Sequence, residues 1–339
     1  MRTLRIGLTY NSKDHMYLVL KGCGLPVTDD ALEEYDTGDT IQELRSALKV
    51  LGHDVIPLGW GQDLVEDLSR GSYPDLVFNI AEGFNGRARE AQVPALLEML
   101  DIRFVGSDAF ALATALDKNA AKLVVNNVGV RVADGWVANK VEDVRRGWFK
   151  RYPMIVKPNN EGSSRGISKV SVVHNQDELR ERVADVLASY KQPALVEEYI
   201  EGRELTVGLV GDPVQVLGIM EVSPLKPRDE FIYSIEVKRN WRELVSYECP
   251  ARLTATEQKY VQEAAVAAFT ALGCKDMARV DFRLTREGTP VFLEINPLPG
   301  LSPTTSDLCI MAAALGISHH ELVGRILKGA VDRYSLNAS

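Results

Sequence analysis

RVDFRLTREGTPVFLEINPLPG, residues 279–300, is the stretch from which the rest of the chain can be read. Two short apolar runs, Ala278 to Leu284 and Val291 to Ile295, flank a Glu287-Gly288 turn, the pattern of a β-hairpin. Side chains alternate faces along a strand, so Glu294 and Asn296 point the same way and Asp281 faces them from the paired strand. Two carboxylates and an amide oxygen then gather at one end of an otherwise apolar sheet. Hard oxygen donors in such a cluster suit Mg²⁺ or Mn²⁺, ions that hold nucleotide phosphates. Pro297 and Pro299 stop the strand, and Gly300 leaves backbone open to close approach by a ligand. The plainer alternative is a charged hairpin end in water. Against it, Phe292, Leu293 and Ile295 imply burial around the acids, and buried acids need partners.

A chain of 339 residues, 45% hydrophobic and 25% charged, has room for two or three domains with full cores. A net charge of -8 argues against nucleic acid or an anionic membrane surface as the main partner. No apolar run reaches the length of a membrane span, and no long apolar core follows Met1 to Tyr10 as in a signal peptide. Cys23, Cys249, Cys274 and Cys309 are scattered with no Cys-x-x-Cys pair, which disfavours zinc and a disulfide framework. The expectation is a cytoplasmic protein acting on small molecules.

Leu4 to Thr9 reads as a buried strand, followed by a polar loop and then a helix capped by Thr40 with Ile41, Leu44, Leu48 and Leu51 on its apolar face. Strands at His53 to Leu58, Asp75 to Ala81 and Ile102 to Val105 alternate with helical patterns, which predicts a doubly wound parallel sheet over residues 1–107. A second unit over 108–202 begins with a helix from Lys118 to Asn127. It continues with strands at Met154 to Lys157, Gly166 to Val172 and Ala194 to Tyr199, interrupted by a helix from Gln176 to Ser189. The last unit, 203–339, holds strands at Leu205 to Val210 and Val214 to Glu221, a helix from Ala255 to Leu272, the hairpin and two closing helices. Between them, 224–240 is long and charged, with Lys226, Arg228, Lys238 and Arg239. It is the best candidate for a mobile cover over a site.

Residues 155–170, IVKPNNEGSSRGISKV, place a lysine at a strand end before a Gly/Ser loop. Backbone N–H groups of such a loop can cradle an anion, with Lys157 as a point charge at its base. An ordinary hairpin with serines at its turn is the alternative, and the loop alone would be weak. No Gly-Lys-Thr/Ser opens a helix, so this is not a Walker loop. In 197–205, EEYIEGREL, a strand edge and connector could face an adenine edge, with a later carboxylate toward ribose hydroxyls. Taken alone, that segment reads first as a solvated acidic turn.

From about Pro74 to the C-terminus the chain resembles the ATP-grasp superfamily, and within it the D-alanine–D-alanine ligases. The resemblance is carried by KPNNEGSS from Lys157, VEEYIEGRELTV from Val196, ARVDFRL from Ala278 and FLEINPLPG from Phe292. It implies a mixed α/β (α+β) fold in three domains, with ATP held between two α+β domains. By the same resemblance Lys118, Lys157 and Lys238 meet the ATP phosphates, beside the loop Glu161, Gly162 and Ser164. Glu197 meets the adenine amino group, the backbone of Glu198, Tyr199 and Ile200 lines the base, and Glu204 holds the ribose. Asp281, Glu294 and Asn296 ligate two Mg²⁺ (or Mn²⁺) ions. Arg279 and the Gly300 backbone stabilise the oxyanion, and Ser163 lies beside the first substrate. The implied activity is peptide-bond formation through an acyl phosphate, with D-alanine as the leading substrate and a homodimer as the implied assembly. Because an acyl phosphate must be kept from water, 224–240 gains a role as a lid.

The departures from the family fall on the amino-acid side. The first loop reads TYNSKDH from Thr9, in which Asp14 is the candidate for the family's substrate-gripping glutamate. Glu82 begins EGFNGRARE, where the family has His-Gly. Arg239 replaces the lid tyrosine while Tyr233 is kept, and Ser306 is the nearest serine for the second substrate's carboxylate. Glu82, Arg87, Arg89, Arg165 and Arg239 add charge, which points to a larger or more polar substrate; for Arg165 a solvated position is equally open. The rival readings are a dipeptide or amino-acid ligase with a different substrate pair, and a nucleotide-binding regulator without turnover. An oxyanion arginine is of no use to the latter. A nicotinamide enzyme is disfavoured because no Gly-x-Gly-x-x-Gly follows the first strand.

Overall fold

The computed structural model describes residues 2–23, 30–71, 73–144, 152–226 and 230–336. Its strands fall into three sheets. In the first, β1 (Arg5–Tyr10), β2 (Asp54–Gly59), β3 (Leu76–Ile80) and β4 (Phe104–Val105) run parallel in the order β2-β1-β3-β4. Such strands are buried on both faces and read as apolar runs, as LVFNI in β3 does. One face packs on the helix Gly38–Val50 through Leu44 and Leu48, and also on the C-terminal helix His319–Arg333 through Ile326 and Leu327. The other face packs on helices Gln62–Ser69 and Gln92–Met99. The end of the chain thus closes the core of its beginning. Arg333 fastens it there by pairing with buried Asp276, which also accepts the Gly106 N–H at 2.8 Å.

The second sheet, β5 (Gly135–Ala138), β6 (Met154–Pro158), β7 (Val172–Val173) and β8 (Ala194–Glu198), is antiparallel in the order β5-β8-β6-β7, with Gln176–Tyr190 across it. The third is the antiparallel set β11-β10-β9-β12-β13, formed by β9 (Arg203–Val210), β10 (Gln215–Pro224), β11 (Val245–Glu248), β12 (Met277–Leu284) and β13 (Pro290–Asn296). Helix Ala255–Ala271 backs it, started by a capping box between Thr254 and Glu257. Helix Asp307–Ala314 lies so close over β9 that a Cβ at Gly208 would stand 2.8 Å from Leu308 and Met311. A larger residue there would have to push the ends of those two side chains aside.

Several local expectations are corrected. The polar loop after β1 is a helix, Lys13–Gly22, capped by Ser12 and holding to the core through Met16 and Leu20 alone. The cap of the next helix is Thr37, whose side chain accepts the Thr40 N–H; Thr40 is buried in the first turn. The predicted strand 166–172 is mostly a turn with one short 3-10 segment, and only Val172–Val173 pairs. In the charged cover, β10 runs on to Pro224 and residues Ile235–Arg239 form a short helix. Arg228 of that stretch lies outside the described residues.

Candidate active site

Burial decides the hairpin. Val280, Phe282, Phe292 and Ile295 enter the core, with the two phenylalanine rings edge to face at 6.1 Å. Each fully buried side chain of this size contributes about 1.5–3 kcal/mol. Register then sets Asp281 opposite Glu294 and Arg279 opposite Asn296. Thr206 on β9 donates its hydroxyl to Asp281 at 3.0 Å. The two acids therefore face each other across the hairpin, with Asn296 two residues along from Glu294 and opposite Arg279.

Cations ring this cluster. Arg279 reaches Asp281 at 3.0 Å, Glu294 at 3.6 Å and Asp307 at 2.9 Å. Lys118, at the start of helix Lys118–Asn127, lies 3.1 Å from Glu294 and also donates to the Glu161 carbonyl. Burial opposes the charge on Glu294, but Lys118, Arg279, Lys157 and Lys238 outweigh it and hold its carboxyl at about 2. Asp281 moves the other way, raised by burial against the pull of Arg279. Lys238 is lowered, first by burial and then by the Arg279 charge. Asn296 accepts the Leu298 N–H at 3.0 Å. Among the described residues no three His, Cys, Asp or Glu side chains form a metal cage. Asp281, Glu294 and Asn296 still suit a hard cation that keeps part of its shell for phosphate oxygens, since Mg²⁺ is ordinarily held by one or two carboxylates.

A pocket runs from this cluster between the second and third sheets. Lys157, Glu197, Tyr199, Ile200, Glu204, Tyr233 and Lys238 line it. Lys157 sits on β6 at 2.7 Å from Glu197 on β8, and Lys122 holds Glu197 from the other side. Burial disfavours the Glu197 charge; the two lysines outweigh it and lower its pKa. Glu204 lies 2.8 Å from Arg283, and burial still pushes its carboxyl up. The loop turns through Ser163 and Ser164 at φ 49° and 58°, a conformation few non-glycine residues adopt. Ser164 donates to the Tyr233 carbonyl at 2.9 Å, so loop and cover touch. Tyr233 in turn lies 2.5 Å from the Tyr247 hydroxyl, and burial pushes its phenol up.

The added charges of the amino-acid side are spent within the protein. Glu34 is buried and takes Arg89 at 2.6 and 2.7 Å, Arg165 at 3.3 Å and the Gly162 N–H at 2.8 Å. Glu161 meets Arg165 at 2.6 Å and Gln192 at 2.6 Å. Arg87 reaches Asp117 at 3.2 Å and Arg239 reaches Glu33 at 2.6 Å. For the arginines the expectation of surplus charge facing a polar substrate is therefore corrected: Arg89 and Arg165 tie residues 30–36 to the loop and Arg239 ties them to the cover, while Arg87 is held by Asp117. Asp14 is exposed in the first turn of Lys13–Gly22, where an acid suits the helix dipole. Glu82 is half-buried, and burial together with Glu90 raises its pKa well above the usual range. Ser306 caps helix Asp307–Ala314 in sequence and accepts the Ser302 N–H at 2.9 Å; a Cβ at Gly300 would meet its hydroxyl at 2.7 Å. Glu34, Lys122, Arg283 and Asp307 are site neighbours that the sequence did not reveal.

The family model described as D-ala D-ala ligase C-terminus matches residues 122–328. The chain belongs to the D-alanine–D-alanine ligase family. A D-alanine–D-alanine ligase of Halalkalibacterium halodurans is 35% identical over 284 residues, 83% of this chain and 89% of that protein. An uncharacterized protein of Sinorhizobium fredii, y4sG, is 33% identical over 314 residues, 89% of this chain and 90% of its own. Among solved structures, the Bacillus anthracis D-alanine–D-alanine ligase complexed with ATP superposes with a TM-score of 0.75 at 24% identity, covering 99% of this chain and all (100%) of that one. The parallel sheet and the two antiparallel sheets are thus the ATP-grasp architecture shared by D-alanine–D-alanine ligases.

Proposed function

We propose that this chain joins two D-alanine molecules at the expense of ATP, in the cytoplasm, supplying a dipeptide for peptidoglycan. The observation that carries the reading is the convergence of Lys118, Arg279 and the paired acids Asp281 and Glu294 at one buried end of the pocket. A small substrate is supported by the internal pairing of Arg87, Arg89, Arg165 and Arg239, which leaves those charges engaged with acids of the same chain. The domains in this reading are 1–107, 108–202 and 203–339, with a homodimer as the family's implied assembly. No helix among the described residues is long and apolar enough to cross a membrane.

In this reading Glu197 and the backbone of Glu198 to Ile200 take adenine, Glu204 takes the ribose, and Lys118, Lys157 and Lys238 take the phosphates beside Glu161, Gly162 and Ser164. Two Mg²⁺ or Mn²⁺ ions held by Asp281, Glu294 and Asn296 would neutralise phosphate charge when bound. The carboxylate of the first alanine attacks the γ-phosphorus, ADP leaves, and an acyl phosphate forms. The free amine of the second alanine adds to its carbonyl and gives up a proton. Inorganic phosphate then leaves the tetrahedral intermediate as the amide forms. Arg279 and the Gly300 N–H face the oxyanion, Ser163 lies beside the first alanine, and Asp14, Glu82, Tyr233, Arg239 and Ser306 remain the candidate substrate-side residues. Positioning and charge neutralisation supply most of the acceleration, so no dedicated nucleophile is required.

The test is phosphate release from ATP and Mg²⁺ with D- and L-amino acids, singly and in pairs, with products weighed by mass spectrometry. Release with D-alanine alone and a dialanine product is expected. Release only with another pair would overturn the substrate, and silence with every pair would overturn the activity.

A further inference from the structure

Arg283 has no part in the reading above, yet it is one of the most engaged side chains of the nucleotide pocket. It follows Asp281 by two residues on β12 and is 5% exposed. Its guanidinium lies 2.8 Å from Glu204 Oε2, donates to the Gly202 carbonyl at 3.0 Å and donates to the Phe231 carbonyl. The rings of Tyr199 and Phe231 flank it at 5.7 and 5.8 Å. Tyr199 repeats the link: its hydroxyl donates to the Phe231 carbonyl at 2.9 Å and accepts the Phe231 N–H at 3.0 Å. Phe231 belongs to the cover and is itself buried.

A guanidinium presents its donors in one rigid plane. It can meet Glu204, Gly202 and Phe231 together only while the cover is down on the pocket. Lifting Phe231 would strand a buried donor and the Phe231 backbone polar groups, which is costly away from water. The carboxylate it orients is the one assigned to the ribose. We propose that Arg283 is a positioning residue that couples the ribose end of the nucleotide site to closure of the cover at residues 230–240. This rests on the reading of Glu204 as the ribose acceptor.

The test needs no amino-acid substrate. Affinity for a non-hydrolysable ATP analogue and its 2′-deoxy form is measured with Mg²⁺ on the full chain and on Arg283→Met, Arg283→Lys and Glu204→Gln. Subtilisin cleavage within 230–240 is followed with and without the analogue. Arg283→Met is expected to lose about tenfold in affinity for the ribo form and to lose preference over the deoxy form. Nucleotide should also no longer protect its cover. Arg283→Lys, which keeps the charge but not the fork, should recover part of the preference and little of the protection. If Glu204→Gln loses the preference while both Arg283 variants behave as the parent, the coupling alone is overturned. If Glu204→Gln keeps the preference, the ribose assignment falls and the coupling with it.

Discussion

Arg279 on β12 and Asp307 at the start of the helix Asp307–Ala314 meet at 2.9 Å, so the hairpin and the segment after Gly300 are held as one unit. Burial works against the Arg279 charge, but Asp281, Asp307 and Glu294 outweigh it and raise its pKa. The guanidinium is therefore permanently charged and aimed from three sides.

That geometry predicts how its loss is felt. Arg279→Ala should lower kcat by about 10²–10³ while raising the KM for ATP far less, the pattern of a group acting on the transition state. Asp307→Asn, which leaves Asp281 to orient the arginine, should lower kcat by about tenfold. Steady-state kinetics decide. A rise in KM with kcat preserved would make Arg279 a binding residue instead.

Glu294 stands between Lys118 and Arg279, at 3.1 and 3.6 Å, opposite Asp281. Glu294→Gln keeps the shape and removes the charge. Turnover should fall by about 10² or more with unchanged far-ultraviolet circular dichroism. Near-normal turnover at ordinary Mg²⁺ would remove the metal assignment from this hairpin.

Glu34 is the keystone of the arginine network, with its side chain only 3% exposed. Glu34→Gln takes a counter-charge from buried Arg89 and half-buried Arg165, so urea unfolding should show a loss of about 3 kcal/mol. Burial disfavours the Glu34 charge, yet Arg89 and Arg165 hold its pKa below the usual value. Its contribution is therefore full above the ordinary pKa of 4.5 and fades as pH falls through the lower folded value. The gap between parent and variant should narrow in acid. A constant gap would show that packing, not charge, holds the segment.

The hairpin was legible because strand alternation is a local signal: once Phe282 and Phe292 are buried, the faces of Asp281 and Glu294 follow. Glu34 was not, because its partners Arg89 and Arg165 stand 55 and 131 residues away and its own segment has no periodicity. Asp14 stands in the first loop as the candidate for the family's substrate-gripping acid, but an acid two residues beyond Ser12 serves a helix start equally well. Asp307 was hidden for the same reason, an acid in a first helical turn reading as dipole complement before ligand. Arg87, Arg89, Arg165 and Arg239 show the limit of counting charge along a chain, since each has its acid in the fold.

Asp36 offers a check that needs no substrate. Burial pushes its carboxyl up to about 7, with Lys13 pulling only partly the other way. Between the ordinary value of 3.8 and about 7 the folded chain holds a proton that the unfolded chain gives up. Stability contributed by this group is therefore full below that window, falls as pH rises through it, and levels off above. Asp36→Asn keeps the shape and removes the ionisation. Relative to the parent, its melting temperature should gain little at pH 4 and about 3 °C or more at pH 8. Thermal melts of both chains across that range decide it: an equal difference at every pH would show that Asp36 ionises as freely in the fold as in the open chain.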